Sequence, residues 1–294
     1  MQKRIAYIAL SLFSAAIMGC QKSINLNLPT PAPEIVVEGH IENGKTAYII
    51  LSRNAAFFSS FTPADISGSF VHGAVISVSD GSKTDTLKEL SYDTSGVIVY
   101  IYNDLNFPNP IIGQVGKSYA LDIKVNGQHL TAVTTIPQLT PLDSIWTQAA
   151  QTDRFNNDSL AILMAQYKSP QNVNVFVRYF TEVNHQGFVS DYNSVFNNLV
   201  VYGKTFNFPL NSGINTLDTS LNRYYPYFVI GDTITVKWCN IDQAQYNFWN
   251  TLDYNGDNEV NPFASPVVVA SNINGGLGIW GGYGATYKTI VVPK

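Results

Sequence analysis

The sequence predicts a mainly β protein: an N-terminal immunoglobulin-like β-sandwich followed by a second β-rich domain with one amphipathic helix. Short runs of β-branched and aromatic residues recur along the chain, separated by turn dipeptides such as Asn43-Gly44 and Asn126-Gly127. Aromatic residues make up 13% of the chain and charged residues also 13%, a composition common in exported β proteins because aromatic side chains fit the pleat. One stretch, near residues 241–253, has the apolar spacing of a helix.

The start of the chain has the layout of a secretory signal that ends in a lipidation site. Lys3 and Arg4 give a positive beginning, an apolar run follows to Ile17, and a small residue precedes Cys20. We therefore expect residues 1–19 to be a cleaved signal peptide and Cys20 to be acylated as the first residue of the mature chain. The apolar run is too short for a transmembrane anchor, which needs about 20 residues. The alternative is plain secretion with Cys20 unmodified.

Residues 20–33 combine the lipidated cysteine with a proline-rich tether. Pro29, Pro31 and Pro33 alternate with other residues, which favours a stiff, extended segment and excludes a helix. Such a tether would hold a globular body away from a membrane. The formal net charge of −4 becomes −6 once the signal and its two cations are removed, so bulk charge argues against nucleic acid and against anionic lipid headgroups as partners.

Residues 34–140 are predicted to form the immunoglobulin-like sandwich. Short strand-like runs separated by turn signals are typical of this architecture. The Cys…Trp…Cys signature of true immunoglobulin domains is absent, so the prediction concerns architecture alone. Longer loops are expected at 57–69 and 104–113. The predicted strands are 34–39, 46–52, 74–79, 83–90, 96–102, 118–125 and 129–136.

A proline-flanked segment, 137–141, marks the predicted boundary with the second domain, residues 141–294. Asn-rich stretches at 184–198 and 207–225 are expected to be loops. The last part of the chain is glycine-rich, with six glycines in residues 275–284. The predicted strands are 160–167, 174–183, 199–206, 233–239 and 287–292.

The helix near residues 241–253 has both a start signal and an apolar face. Asn240 is placed to cap it, and Asp242 lies in the positive first turn. Phe248 and Trp249 belong to the apolar side, which we expect to pack on a sheet. The helix should end between Asp253 and Gly256.

A glycine pattern in the tail matches the sequence of a dinucleotide-binding motif but lacks the structural context that the motif requires. Gly276, Gly278 and Gly281 satisfy G-x-G-x-x-G. The motif binds a pyrophosphate at the N-terminus of the helix that follows it, and no helix is predicted to follow here. The pattern instead predicts close backbone approach, with Trp280 and Tyr283 over neighbouring glycines. No cofactor is expected.

An acidic segment after the helix resembles the first half of a calcium loop. Asp253, Asn255, Asp257 and Glu259 alternate oxygen ligands, and they are the candidate metal ligands of this chain. Asn258 stands where the loop requires glycine, and the bidentate glutamate at the twelfth position is missing. An acidic turn is therefore favoured over a metal site.

No catalytic residues are predicted. His40, His72, His129 and His185 are isolated in sequence, so no zinc-ligand spacing is present. No G-x-S-x-G elbow occurs, and Cys239 ends a predicted strand, where a buried small hydrophobe is expected. A carboxylate pair assembled by folding would leave no mark in the sequence, so enzymatic activity is not expected but an unseen site stays open.

Several segments together carry a resemblance to a family. The most specific is Ser271-Asn272-Ile-Asn-Gly275-Gly276-Leu-Gly278, followed by Trp280 and Gly-Gly-Tyr. The others are Cys20 with its tether, 36–39, 143–145, Tyr246 with Phe248 and Trp249, 261–263 and Pro266. The chain resembles the uncharacterised outer-membrane lipoproteins of Bacteroidota grouped as domain of unknown function 4249. The resemblance implies an outer-membrane lipoprotein encoded near a TonB-dependent receptor, and it implies no catalytic residues.

The combined expectation is a non-catalytic, ligand-capturing accessory of a TonB-dependent uptake receptor, anchored to the outer membrane through Cys20. Its ligand could be a small molecule, a peptide or a glycan. Two alternatives stay open: a structural or adhesive β-module without a ligand, and a surface hydrolase. An accessory should have an aromatic-lined pocket, an adhesin a flat face, and a hydrolase converging carboxylates or a histidine pair in a cleft.

Overall fold

The fold is built on one large twisted sheet. A computed structural model describes residues 33–54, 63–94, 97–106, 108–151, 159–215, 219–258 and 267–294. The large sheet has eight strands, and its two edges come from different halves of the chain. In spatial order the strands are β12 (Val195–Asn197), β11 (Phe176–Val183), β15 (Thr233–Ile241), β16 (Leu277–Val291), β1 (Ile35–Glu42), β2 (Tyr48–Arg53), β6 (Val97–Asn103) and β5 (Lys88–Thr94).

Two smaller sheets and two helices complete the fold within the described ranges. The first small sheet contains β4 (Thr84–Thr86), β3 (Val75–Ser79), β7 (Ser118–Val125) and β8 (Gln128–Thr135). The second small sheet contains β13 (Thr205–Leu210), β10 (Leu160–Lys168) and β14 (Phe228–Val229), with β9 (Ser144–Ala149) also paired to β10. The helices are α1 (Pro63–Ser69) and α2 (Gln243–Asn258), and a 3-10 turn spans Thr219–Asn222.

The small sheets cover one face of the large sheet, which we name the inner face. Alternate residues of a strand point to opposite faces, so Val37 and Ile49 point inward together and pack with the first small sheet. Val177 and Trp238 point to the same side and pack with the second small sheet. Two hydrophobic cores therefore lie side by side on the inner face, and the predicted mainly β, sandwich-like fold is confirmed.

The predicted division into two consecutive domains needs correction. The two cores do separate near residue 140, but Ile273 and Trp280 from the C-terminal segment belong to the first core. Strand β16 pairs with β15 on one side and, in parallel, with β1 on the other, so both halves share one sheet. Residues 33–294 consequently pack as one compact unit. The return of the last strand to the first is a long-range pairing that no local pattern indicates.

Several predicted elements have different bounds in the structure. The glycine-rich tail is not irregular, because β16 begins at Leu277 and not at 287. Helix α2 continues to Asn258, past the predicted end, and Ile241 belongs to β15. Strand β13 lies further along the chain than the predicted run 199–206. The elements that the sequence analysis missed are β9, β12, β14 and α1.

Candidate functional site

A pocket of about 460 Å³ opens on the outer face of the large sheet, opposite the two cores. Arg178 on β11 lies directly across from Cys239, and Lys237 on β15 lies directly across from Tyr287. Arg178 and Lys237 directly adjoin the inward-pointing Val177 and Trp238 along their strands. Since successive side chains point to opposite faces, Arg178, Lys237 and the residues paired with them all lie on the outer face. We name this site, which Arg178, Lys237 and the aromatic rings around them line, the cationic pocket.

Among the described residues, no carboxylate forms an ion pair with the buried Arg178. The residue is only 7% exposed. Its Nε donates to Ser194 Oγ at 3.4 Å, its Nη1 to the Tyr283 hydroxyl at 3.1 Å, and its Nη2 to Ser190 Oγ at 3.3 Å. These acceptors are all neutral, and none of the ion pairs among the described residues includes Arg178. A buried charge without a counter-charge destabilises the folded state, so an anion bound beside this guanidinium would be stabilising.

Aromatic rings supply part of the stabilisation of the guanidinium. Arg178 Cζ lies 3.3 Å from the ring centroid of Trp249 and 4.7 Å from that of Phe180. Such cation–π contacts contribute about 0.5–2 kcal/mol each, which is less than the cost of a buried unpaired charge. They hold the guanidinium plane in place and leave its charge uncompensated.

Lys237 differs from Arg178 because its charge is paired. Its Nζ lies 2.5 Å from Glu42 Oε2, and both side chains are buried. Glu42 also pairs with Lys45, at 2.8 Å, and accepts a hydrogen bond from the Tyr287 hydroxyl. Burial alone would raise the pKa of Glu42, but the two ammonium groups and the hydroxyl together hold this pKa below its ordinary value. Glu42 is thus ionised near neutral pH, and it neutralises Lys237.

Glu38, His40 and Tyr48 are further titratable residues that line the pocket. Glu38 is exposed. His40 is neutral near pH 7, because burial and then the Lys237 charge lower its pKa to about 3. Burial, with a further contribution from Glu38, raises the pKa of the Tyr48 hydroxyl to about 12. Among the described residues that line the pocket, Arg178 is therefore the buried charged group that no ion pair compensates.

Helix α2 places Trp249 above Arg178. Asp242 caps the helix, with its Oδ1 accepting from the Gln245 backbone N–H at 2.8 Å and its Oδ2 accepting from Thr134 Oγ1 at 2.8 Å. The predicted cap, Asn240, lies instead in β15, where its Oδ1 accepts from the Thr140 backbone N–H at 2.7 Å. Strand β15 ends at Ile241, directly before the cap residue Asp242, so the end of the strand determines where the helix begins.

Residues 271–280 of the family-like motif hold β16 in place, whereas Tyr283, which follows them, lines the pocket. Asn272 pairs with the backbone of Trp280, donating to its carbonyl at 2.7 Å and accepting from its N–H at 2.9 Å. Ser271 Oγ accepts from the Ile273 N–H at 3.1 Å. The Trp280 ring is fully buried, and its Nε1 donates to the Tyr119 carbonyl at 3.0 Å. These side chains thus act as a clamp between β16 and its neighbours.

The glycines of the tail allow close backbone approach, as the sequence analysis predicts. A Cβ at Gly278 would lie 1.9 Å from the Val37 carbonyl oxygen, and one at Gly275 would lie 2.6 Å from that of His129. At Gly276 it would meet the Leu130 side chain at 2.4 Å. Since none of these spaces admits a Cβ, glycine is required for strand packing. Gly276 directly precedes β16, and Gly278 and Gly281 lie within it, so a strand and not a helix follows the start of the G-x-G-x-x-G pattern.

The candidate calcium ligands do not form a loop. Asp253, Asn255 and Asp257 lie within α2, whose backbone places residues two apart on different sides of the helix. The Asn255 side chain pairs with the Val267 backbone, at 2.6 and 3.1 Å. Glu259 and the side chain of Asp257 lie outside the described residues. Among the residues that are described, no group of three or more histidine, cysteine or acidic side chains is placed to hold a metal ion.

The segment that carries Cys20 and the tether, up to residue 32, lies outside the described residues. Within the described part of the chain, neither helix has the length and apolarity that crossing a bilayer requires. Cys239 is fully buried on the outer face of β15, and burial raises the pKa of its thiol to about 12.

Sequence reasoning missed Arg178, Lys237 and Glu42. A partial signal exists in retrospect, because Arg178 and Lys237 each interrupt a strand rich in apolar and aromatic residues in a chain with few charges. Their meeting depends on the pairing of β11, β15, β16 and β1, which only the fold provides.

A second cavity, of about 270 Å³, lies between the large sheet and the second small sheet. Phe196, Phe206, Phe208 and Trp238 line it, and these rings are in contact with one another. The Asn198 amide at its edge already bonds to the Val173 carbonyl at 2.9 Å. This cavity is continuous with the second core and presents no free charge.

The structure defines a mainly β protein with a pocket on the outer face of its main sheet. The chain belongs to the family described as Domain of unknown function (DUF4249), whose model matches residues 21–289. No curated protein matches the chain.

Proposed function

We propose that this protein is a lipid-anchored outer-membrane lipoprotein that captures a ligand in the cationic pocket as an accessory of a TonB-dependent uptake receptor. The signal-like start and Cys20 support the anchor, and the resemblance of the chain to Bacteroidota lipoproteins supports the receptor partner. Binding is the proposed activity, and no step of catalysis is part of it.

The observation that carries the proposal is the buried, uncompensated charge of Arg178 in a pocket large enough for a small molecule. Small-molecule sites are concave and mostly apolar, with a few polar groups that fix orientation, and about 300–1,000 Å³ in volume. The volume of the cationic pocket, about 460 Å³, lies in this range, and its lining combines aromatic and aliphatic side chains with a few polar and charged ones. An adhesive module needs no such pocket, so this geometry favours ligand capture over the adhesive alternative.

The experiment is a co-purification of the full-length tagged chain from outer membranes solubilised in a mild detergent. We expect a TonB-dependent receptor to be recovered in stoichiometric amount and to persist through a salt wash. The matched control is Cys20→Ala, which should leave the membrane fraction because the acyl chains provide the anchor. Recovery of the chain alone, from membranes where the receptor is demonstrably present, would contradict the proposal.

A further inference from the structure

We propose that the cationic pocket binds a monocarboxylate with a flat apolar body, and that Arg178 is the residue that holds the carboxylate. This inference rests on the proposed ligand-capturing role and specifies the class of ligand. Three features of the pocket carry it: the free donors of Arg178, the charge balance around it, and the apolar walls beside it.

The guanidinium of Arg178 has hydrogen-bond donors that none of its contacts in the structure uses. A guanidinium carries one N–H on Nε and two on each terminal nitrogen. The bonds to Ser194, Tyr283 and Ser190 use one N–H of each nitrogen, which leaves one on Nη1 and one on Nη2. A carboxylate accepts from both terminal nitrogens at once, so the free donors match its two oxygens.

The charge balance selects a monoanion over a phosphate dianion. Arg178 supplies one positive charge, while the buried Lys237 pairs with Glu42 at 2.5 Å, and the second cation on Glu42, Lys45, is exposed to solvent. His40 is uncharged near pH 7, and Glu38 at the rim repels a second negative charge. A dianion would also need more donors than the guanidinium has free. The pocket therefore matches a single carboxylate in both charge and hydrogen bonding.

The walls of the pocket select an apolar body for that carboxylate. Phe180, Phe188, Val189 and Ile214 line the space beside Arg178, and Tyr48 lines it on the side of β2. Phe180 already contacts both the Arg178 guanidinium and the Lys237 ammonium, so its ring is held in position. An aromatic ligand ring would make stacked or edge-to-face contacts with such walls in addition to burying its apolar area.

The test is calorimetric titration of the full-length chain in a nonionic detergent with naphthoate, its uncharged isostere naphthamide, and naphthyl phosphate. We expect saturable binding of naphthoate, at least about tenfold tighter than either of the other two probes, because only the carboxylate uses both free donors of Arg178 without adding a second charge. Equal affinity for naphthamide, preference for naphthyl phosphate, or no saturable binding of naphthoate would each overturn the inference.

Variants assign the effect to Arg178. Arg178→Gln should weaken naphthoate binding by about tenfold or more and leave naphthamide binding nearly unchanged, since only the charged partner is lost. Lys124→Gln, which removes an exposed cation on β7, is the matched control and should bind like the parent chain. Detergent partitioning of the probes is common to all variants and therefore cancels in these comparisons.

A second variant keeps the test decisive if Arg178→Gln does not fold. Phe188→Glu changes a partly exposed wall residue whose ring centroid lies 6.0 Å from Lys237 Nζ, and it retains Arg178. The added carboxylate should repel naphthoate and abolish its binding, and unchanged binding would overturn the inference. The titration needs no receptor, so the two proposals can fail separately. If the chain binds naphthoate but captures no receptor, the proposed role as a receptor accessory is contradicted and the ligand class is not. If the chain captures the receptor but does not bind naphthoate, only the ligand class is contradicted.

Discussion

At the residue scale, Glu42 governs the charge state of the pocket, because it is the carboxylate that holds Lys237 in the interior. We predict that Glu42→Gln lowers the free energy of unfolding by about 3–5 kcal/mol, since it leaves a buried ammonium without a counter-charge. Urea unfolding of the full-length chain measures this loss. The control is Glu38→Gln at the exposed rim, which should change stability by less than about 0.5 kcal/mol. A loss of the same small size for Glu42→Gln would contradict the assigned role.

The same residue gives a prediction about pH. Because the pKa of Glu42 in the folded chain lies below its ordinary value of 4.5, its contribution to stability is present above that pH and is lost as pH falls through the folded pKa. We therefore expect the unfolding free energy to fall below about pH 4.5, and to fall less steeply in Glu42→Gln than in the parent chain. Urea unfolding at a series of pH values gives both slopes. Identical slopes would show that Glu42 has the same pKa in both states.

At the element scale, the glycines of β16 allow this strand to pack against residues 135–136, where the chain leaves β8. A Cβ at Gly282 would lie 2.6 Å from the Thr135 carbonyl oxygen and 2.7 Å from the Ile136 nitrogen, both backbone atoms. We predict that Gly282→Ala destabilises the protein by about 1–3 kcal/mol or more through this overlap.

Thermal unfolding of Gly282→Ala beside Gly68→Ala tests the steric argument. Gly68 lies in α1, and an added Cβ there meets no atom within 4 Å, so alanine should be neutral or slightly stabilising. If both variants unfold at the temperature of the parent chain, the close approach of β16 to residues 135–136 is not a constraint on stability.

At the scale of the whole molecule, β16 joins the two hydrophobic cores into one cooperative structure. Ile49 is fully buried in the first core, and Ile49→Ala should cost about 2–5 kcal/mol. Since β16 pairs with both β1 and β15, we predict that this loss also lowers the protection of β10 in the second core.

Hydrogen exchange followed by mass spectrometry measures this coupling directly. Peptides from β7 and β10 should lose protection by similar free energies in Ile49→Ala. Val133→Ala, at a residue that is 64% exposed on β8, is the control and should leave both peptides unchanged. Unchanged β10 protection in Ile49→Ala would indicate that the two cores unfold independently.

The sequence by itself determined the class of the fold and the main strands, because period-2 alternation and Asn-Gly turns are local properties of the chain. It also determined that α2 exists with Phe248 and Trp249 on its apolar side, and that the tail glycines permit close backbone approach. The expectation of a lipidated Cys20 likewise depends on sequence alone and stays a prediction.

Only the tertiary structure decided where β16 lies and what the cationic pocket contains. Arg178 and Lys237 are far from Glu42 in sequence, and no local pattern shows that the three residues meet. The strand order β11-β15-β16-β1 brings them to one face. The physical reason is that a strand fixes which side a residue faces, while long-range pairing, stabilised by burial of the cores, fixes which residues meet there.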